Sequence, residues 1–123
     1  MLLFAIGLWT IRQQRSELKD IRDQSRRKQA SMVSSWVEEW DQSTLSGRCR
    51  NGSDEPIYDV SVVVDNQPEK SAQIPLLKPA EECDFDFEGL VISTTEYPEI
   101  TLTFRDSRGV SWSRDAKGFL SEF

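Results

Sequence analysis

The sequence predicts a mostly β protein, a small antiparallel immunoglobulin-like β-sandwich preceded by a long N-terminal helix. Two observations indicate the sandwich. Apolar and polar residues alternate with period two from Leu45 onward, and turn-forming residues interrupt that alternation about every eight to twelve residues. A third observation indicates the helix, since residues 12–40 contain neither proline nor glycine and are rich in Arg, Gln, Glu and Lys.

The composition of the chain excludes several classes of catalytic and metal site. There is no histidine among the 123 residues, which removes triads built on imidazole and most zinc sites. The two cysteines are too few for a four-thiolate metal site or a disulfide scaffold. We therefore predict one noncatalytic domain with an appendage, and no cofactor, metal ion or catalytic residue.

The first eleven residues, Met1 to Ile11, form an uncharged apolar run that predicts a partial membrane anchor over residues 1–11. About 20 apolar residues are needed to cross the hydrocarbon core, so the run has about half of the required length. The residues expected to contact lipid or its headgroups are Leu2, Leu3, Phe4, Ile6, Leu8, Trp9, Arg12, Arg15 and Lys19. A segment lying in the membrane interface and a helix end buried against protein are the alternative interpretations.

The charge distribution predicts an orientation in the membrane. Arg12 to Lys28 carries seven basic and three acidic side chains directly after the apolar run. By the positive-inside rule, the protein is expected to cross the cell membrane once, with its C-terminal domain facing the cytoplasm. Residues 44–123 carry eight basic and fifteen acidic side chains. Since this surplus of carboxylates repels a phosphate backbone, no nucleic-acid partner is expected.

Residues 12–43 are predicted to form a basic to amphipathic helical stalk. Val33, Trp36, Val37 and Trp40 recur at i, i+3, i+4 and i+7, which places both tryptophans on one helix face. That face is expected to dock on the following domain, with an unidentified protein partner or the membrane surface as the alternatives. A thin, broken apolar seam leaves a weak homo-oligomer as an alternative; its residues are Ile11, Leu18, Ile21 and Met32.

Residues 44–123 are predicted to form the β-sandwich. The expected inward positions are Leu45, Gly47 and Cys49; Tyr58, Val60, Val62 and Val64; Cys83, Phe85 and Phe87; and Ile100, Leu102 and Phe104. Ile74 to Pro79 contains two prolines, which lack the N–H that a central strand must donate, so this stretch belongs at an edge or crossover. Asp106 to Gly109 has the composition of a hairpin turn, with Trp112 facing the core on the second strand.

Two features of the β-domain bear on function. The carboxylates of Asp84, Asp86 and Glu88 project to one side of a strand, at a spacing of about 6.5 to 7 Å that is too wide for one metal ion. We predict that they face solvent or a basic partner. Cys49 and Cys83 both occupy positions that are predicted to face the core. They are expected to be free thiols in the cytoplasm, whereas in an exported domain they would form a disulfide.

Four motifs occur along the chain in a characteristic order. They are Arg-Asn-Gly-Ser-Asp-Glu-Pro-Ile-Tyr-Asp-Val at 50–60, Leu-x-Pro at 77–79, Phe-Arg-Asp-x-x-Gly-x-x-Trp-x-Arg at 104–114 and Gly-x-Leu at 118–120. In these motifs the chain resembles small, functionally uncharacterised actinobacterial proteins with one N-terminal membrane segment, a basic helix and a compact β-domain. The resemblance implies an architecture and no catalytic residue. The leading hypothesis is a membrane-tethered protein-interaction module; a self-assembling structural component and an extracytoplasmic disulfide-bonded domain are the alternatives.

Overall fold

A computed structural model describes residues 27–93 and 95–123. Within these residues it contains a short helical turn, 27–31, and strands that form two antiparallel sheets. The strands are β1 (Val33–Trp40), β2 (Leu45–Asn51), β3 (Ile57–Val64), β4 (Gln67–Leu77), β5 (Glu82–Phe87), β6 (Ile100–Arg105), β7 (Ser111–Arg114) and β8 (Leu120–Glu122). The prediction of a mostly β, antiparallel protein is therefore confirmed.

The strands divide between a three-stranded sheet with the order β1-β2-β5 and a five-stranded sheet with the order β4-β3-β6-β7-β8. One hydrophobic core contains the inward side chains of both sheets. Its members include Leu45, Cys49, Phe85 and Phe87 from the first sheet and Val60, Val62, Val64, Leu102, Phe104 and Trp112 from the second. The predicted period-two alternation is confirmed at these positions, since burial of one strand face produces that pattern.

The predicted helix over residues 12–43 is wrong at its C-terminal end, because residues 33–40 form strand β1, paired with β2. A β-bulge explains why the sequence looked helical. Val37 pairs with Gly47 and Glu39 pairs with Ser46, so Glu38 is an extra residue. This insertion brings positions three apart onto the same face of the strand, as a helix does. The sheet thus begins ahead of the domain start expected at residue 44.

A second irregularity overturns the predicted inward position of Tyr58. Asp59 has a positive φ of 49°, and the pairing between β3 and β6 shifts between Tyr58 and Ser61. Ile57 and Val60 are consequently buried, whereas Tyr58 lies under the Arg105 guanidinium at 5.4 Å from the ring centroid. The alternation of apolar residues alone does not reveal this inserted residue.

Two local predictions in the five-stranded sheet are confirmed. Strand β4, which contains Pro75, lies at the edge of the sheet. Strands β6 and β7 form the predicted hairpin, in which Gly109 adopts a φ of 86°. Trp112 faces the core and is almost completely buried.

The N-terminal boundary of the described chain lies beside the core. In the helical turn 27–31, Ala30 is fully buried against it. Within residues 27–93 and 95–123, no helix has the length and apolar character needed to cross a membrane. The predicted partial anchor, residues 1–11, and residues 12–26 of the predicted stalk lie outside the described part of the chain.

Candidate protein-interaction surface

The outer face of the three-stranded sheet carries three rows of side chains. Register aligns Trp36, Arg48 and Asp84 in the central row across β1, β2 and β5. The flanking rows are Ser34, Arg50 and Glu82 on one side, and Glu39, Ser46 and Asp86 on the other. We call these nine residues, together with the bulge residue Glu38, the acidic face.

Arg48 is the centre of the ionic contacts on the acidic face. Its Nε lies 2.9 Å from Asp84 Oδ1 and 3.3 Å from Glu38 Oε1, and its terminal nitrogen lies 3.5 Å from Glu82 Oε2. These contacts are ion pairs rather than hydrogen bonds, since the Nε–H has no acceptor within hydrogen-bond geometry. Because the arginine is 43% exposed, the pairs add little to stability. They do hold the surrounding carboxylates in place.

Carboxylates outnumber cations on the acidic face. Arg50 also pairs with Glu82, at 3.0 Å, so both arginines are already engaged by acidic neighbours. The acidic side chains are Glu38, Glu39, Glu82, Asp84 and Asp86. Two arginines offset only part of this charge, and the face as a whole is negative. It therefore attracts cationic groups, most strongly at low ionic strength.

Trp36 is the aromatic residue of the acidic face. Its side chain is partly buried, and its indole Nε1–H donates to Glu38 Oε1 at 3.4 Å. The structure thus brings together Trp36, Asp84 and Asp86, which the sequence had singled out separately as partner-binding residues. That these residues bind a partner stays a prediction.

Trp40 does not share the face of Trp36. The bulge in β1 turns Trp40 inward, where it packs against the core. Its ring meets that of Tyr97 edge to face, with the centroids 6.0 Å apart. The Tyr97 hydroxyl donates to the carbonyl oxygen of Val37 at 3.3 Å, which ties the loop after β5 to β1. The structure therefore supports a packing contact for Trp40 rather than a place on the acidic face.

An acidic cleft of about 340 Å³ adjoins the acidic face at the C-terminal end of β1. Its walls include Glu39, Asp41, Asp86 and Glu88, and Trp40 and Phe87 contribute apolar surface. Glu88, the third predicted partner-binding carboxylate, thus lies at this cleft. The negative potential of the acidic face continues into the cleft through Glu39 and Asp86, which belong to both.

Local hydrogen bonds stabilise the ionised form of Asp41 in the cleft wall. The backbone N–H groups of Ser43 and Thr44 donate to Asp41 Oδ1 at 2.9 and 2.8 Å. The bond from Ser43, followed by those from Thr44, holds the pKa of Asp41 below its ordinary value of 3.8. Asp41 is therefore charged at neutral pH. The sequence Asp-Gln-Ser-Thr is typical of this turn, although only the fold places it beside Asp86 and Glu88.

Residues 27–93 and 95–123 contain no group of three or more His, Cys, Asp or Glu side chains arranged to hold a metal ion. Asp84 and Asp86 lie two apart on β5, and Arg48 lies beside Asp84. Cationic side chains of a partner suit such spread carboxylates better than a single ion does.

Cys49 and Cys83 lie directly opposite each other on β2 and β5, and both thiols are free. Burial and, secondarily, the neighbouring Cys83 raise the pKa of Cys49 from 9.0 to about 11. The Cys49 thiol donates a long hydrogen bond of 3.6 Å to the carbonyl oxygen of Cys83. Cys49 is thus a protonated core residue at neutral pH, and nothing in its surroundings activates it as a nucleophile.

No protein-family model matches the chain, and a search of curated proteins finds no match. The candidate surface is therefore defined by its own geometry. The predicted lipid-contact residues, Leu2 to Lys19, lie outside the described residues.

Proposed function

We propose that this protein is a noncatalytic interaction module that is tethered to the cell membrane by its N-terminal segment and binds a basic segment of a cytoplasmic protein partner. The acidic face is the proposed binding surface. The observation that carries the proposal is the surplus of carboxylates around Trp36, Arg48 and Asp84 on one flat sheet face. Lysine and arginine side chains of a partner complement those carboxylates.

The arrangement of Trp36 beside the carboxylates supports a peptide or protein segment as the ligand. A partly exposed indole offers apolar contact area and stacks well with a guanidinium group, while the carboxylates accept its hydrogen bonds. Aromatic residues are enriched in protein interfaces for the same reason. The acidic cleft extends the surface, so that carboxylates are available to the cationic side chains of a segment several residues long.

The order of the strands supports an immunoglobulin-like type of sandwich. Strands β1, β2 and β5 share one sheet, while β3, β4, β6 and β7 share the other. A chain that passes from one sheet to the other and back in this order is typical of sandwiches with Greek-key connections. Such domains commonly act as rigid supports for binding surfaces, although the fold alone does not determine a function.

The membrane part of the proposal rests on the sequence. Seven basic residues between Arg12 and Lys28 follow the uncharged run Met1 to Ile11. The basic stretch favours the cytoplasmic side and anionic lipids. The acidic face is repelled by the same lipids and remains available to soluble partners.

Cell fractionation with protease digestion tests the tether. We expect the full chain in the membrane fraction, with its β-domain digested in inside-out vesicles and protected in intact cells. A chain that remains in the supernatant after lysis contradicts the tether, and a domain digested in intact cells contradicts the cytoplasmic orientation. Free thiols at Cys49 and Cys83 in the protein from cells would agree with the cytoplasmic side.

Binding of a synthetic Lys/Arg-rich peptide to the full chain in detergent tests the acidic face. The variant Asp84→Asn/Asp86→Asn removes two charges from the face, and we expect it to weaken binding about tenfold, since two exposed charge pairs of about 0.7 kcal/mol each amount to about 1.4 kcal/mol. The matched control Glu69→Gln/Glu99→Gln removes two exposed carboxylates from outside that face. Equal weakening in both variants would show a general charge effect and contradict this binding site.

A further inference from the structure

Two exposed phenylalanines flank the edge strand β8. Phe119 and Phe123 are 69% and 73% exposed, among the most exposed large apolar side chains of the described chain. Alternate side chains of an extended chain lie on the same face. Phe119 and Phe123, four residues apart, therefore both point away from the core, whereas Leu120 packs against it. Two exposed aromatic rings on the same face of one strand are a candidate contact surface.

The position of these rings relates them to the N-terminal segment. Arg27, the first described residue, donates from its guanidinium to the carbonyl oxygen of Leu120 at 3.2 Å. Arg114 reaches the carbonyl oxygens of Ser31 and Gly118, both at 3.0 Å, and so ties the helical turn to the turn before β8. The described part of the chain therefore begins beside β8 and its two exposed rings.

The charges near β8 differ from those at the opposite end of the domain. Arg27 and Lys117 are exposed here, whereas Lys28 lines a separate pocket with Asp54 and Glu55. Of the nearby acidic residues, Asp115 accepts hydrogen bonds from the backbone N–H groups of Lys117 and Phe119, while Glu122 is exposed on β8. The acidic cleft, by contrast, lies at the other end of β1.

We propose that Phe119 and Phe123, together with Arg27 and Lys117, form a second membrane contact that lies on an anionic lipid surface. The rings enter the interface between headgroups and acyl chains, and the cations meet lipid phosphates and carboxylates. The contact faces the membrane because the chain before Arg27 carries the basic stretch and the apolar run. It leaves the acidic face and cleft open to the cytoplasm. This inference rests on the proposed tether, since it assumes that residues 1–26 lead to the bilayer.

The experiment uses hydrogen exchange of the full chain on lipid vesicles. One set of vesicles contains phosphatidylcholine alone, and the other contains phosphatidylcholine with phosphatidylserine. We expect the backbone amides of 119–123 to exchange at least about threefold more slowly on the anionic vesicles than on the neutral ones. Added salt should reduce this protection, because it screens the attraction between the cations and the lipid.

Two variants make the test specific. Phe119→Ser/Phe123→Ser should abolish the lipid-dependent protection while the chain stays bound through its N-terminal segment. The control Leu76→Ser/Val91→Ser removes two exposed apolar side chains from other surfaces and should keep the protection. Since all four side chains are exposed, neither variant should impair folding.

The outcomes separate this inference from the proposed function. If the full chain binds vesicles but 119–123 exchange equally fast on both lipids, the second contact is wrong and the tether stands. If the chain binds neither kind of vesicle, the tether is wrong and the inference with it. Protection that depends on protein concentration and not on phosphatidylserine would assign the rings to a contact between two copies, and would also overturn the inference.

Discussion

Arg114 on β7 donates from its Nε to the carbonyl oxygen of Val33, 3.1 Å away, at the first residue of β1. The bond joins the five-stranded sheet to the three-stranded sheet through one side chain. The same guanidinium also reaches the carbonyl oxygens of Ser31 and Gly118. Arg114 therefore satisfies backbone acceptors at the end of the helical turn, where no intrahelical donor is left.

We expect Arg114→Leu to destabilise the domain by about 2 to 3 kcal/mol, since hydrogen bonds from a charged group contribute about 1.5 to 3 kcal/mol and partly buried carbonyls lose their donor. Arg114→Lys should recover only part of this loss, because one ammonium group cannot reach three separate carbonyl oxygens. Urea unfolding followed by tryptophan fluorescence measures both values. The control Arg105→Lys alters an exposed arginine with a single ion pair. An equal loss of stability in Arg105→Lys and Arg114→Lys would contradict the role proposed for the Arg114 hydrogen bonds.

A buried carboxylate organises the hairpin between β6 and β7. Asp106 is 1% exposed, and its Oδ2 accepts from the Trp112 indole Nε1–H at 3.0 Å. Its Oδ1 accepts from the backbone N–H groups of Arg108 and Val110. We expect Asp106→Ala to cost about 3 kcal/mol, since it leaves buried donors without an acceptor. Asp106→Asn, which keeps one oxygen, should cost less, and urea unfolding of both variants checks this order.

The prediction for Asp106 is contradicted if both variants unfold at the same urea concentration as the wild type. A separate readout is near-ultraviolet circular dichroism, to which the buried Trp112 contributes along with the other three tryptophans. We expect Asp106→Ala to reduce that signal even where the domain remains folded. The exposed neighbour Ser107 provides a control through Ser107→Ala.

The sequence predicts the strands of this fold more reliably than its irregularities. Leu102 and Phe104 follow a period of two and are buried as expected. Glu38 and Asp59 are different, because each is an inserted or strained residue that shifts the parity of the following positions. The bulge brings Val37 and Trp40, three positions apart, onto the inward face, and this spacing imitates a helix. A bulge depends on pairing with a neighbouring strand, and a single sequence does not specify that pairing.

For the candidate surface as well, the sequence predicts which way side chains point within a strand but not which strands pair. The outward parity of Arg48 and that of Asp84 are both evident from the local alternation. Their pairing is not, since β2 and β5 are separated by two strands of the other sheet along the chain. The acidic cleft is likewise invisible in the sequence, because it joins the turn at Asp41 to Glu88 beyond the end of β5.

Gly47 permits the close approach of β1 and β5 to β2. A Cβ atom at this position would lie 2.2 Å from the carbonyl oxygen of Trp36 and 2.6 Å from Phe85 Cζ. We expect Gly47→Ala to destabilise the domain by about 3 kcal/mol, at the upper end of the cost of overpacking, because a backbone atom must move. The adjacent Ser46→Ala, which points outward, is the matched control. Urea unfolding of the two variants compares them, and equal midpoints would contradict the close approach.

The pKa of Cys49 predicts how stability changes at alkaline pH. Burial raises that pKa from 9.0 to about 11, so the folded protein holds the thiol proton more tightly than the unfolded chain does. The resulting stabilisation is complete below pH 9 and is lost as the pH rises through 11. We expect Cys49→Ala to reduce the loss of stability between these pH values, compared with the wild type, when urea midpoints are measured across the range. A wild type and variant that lose stability in parallel would contradict this role of the thiol.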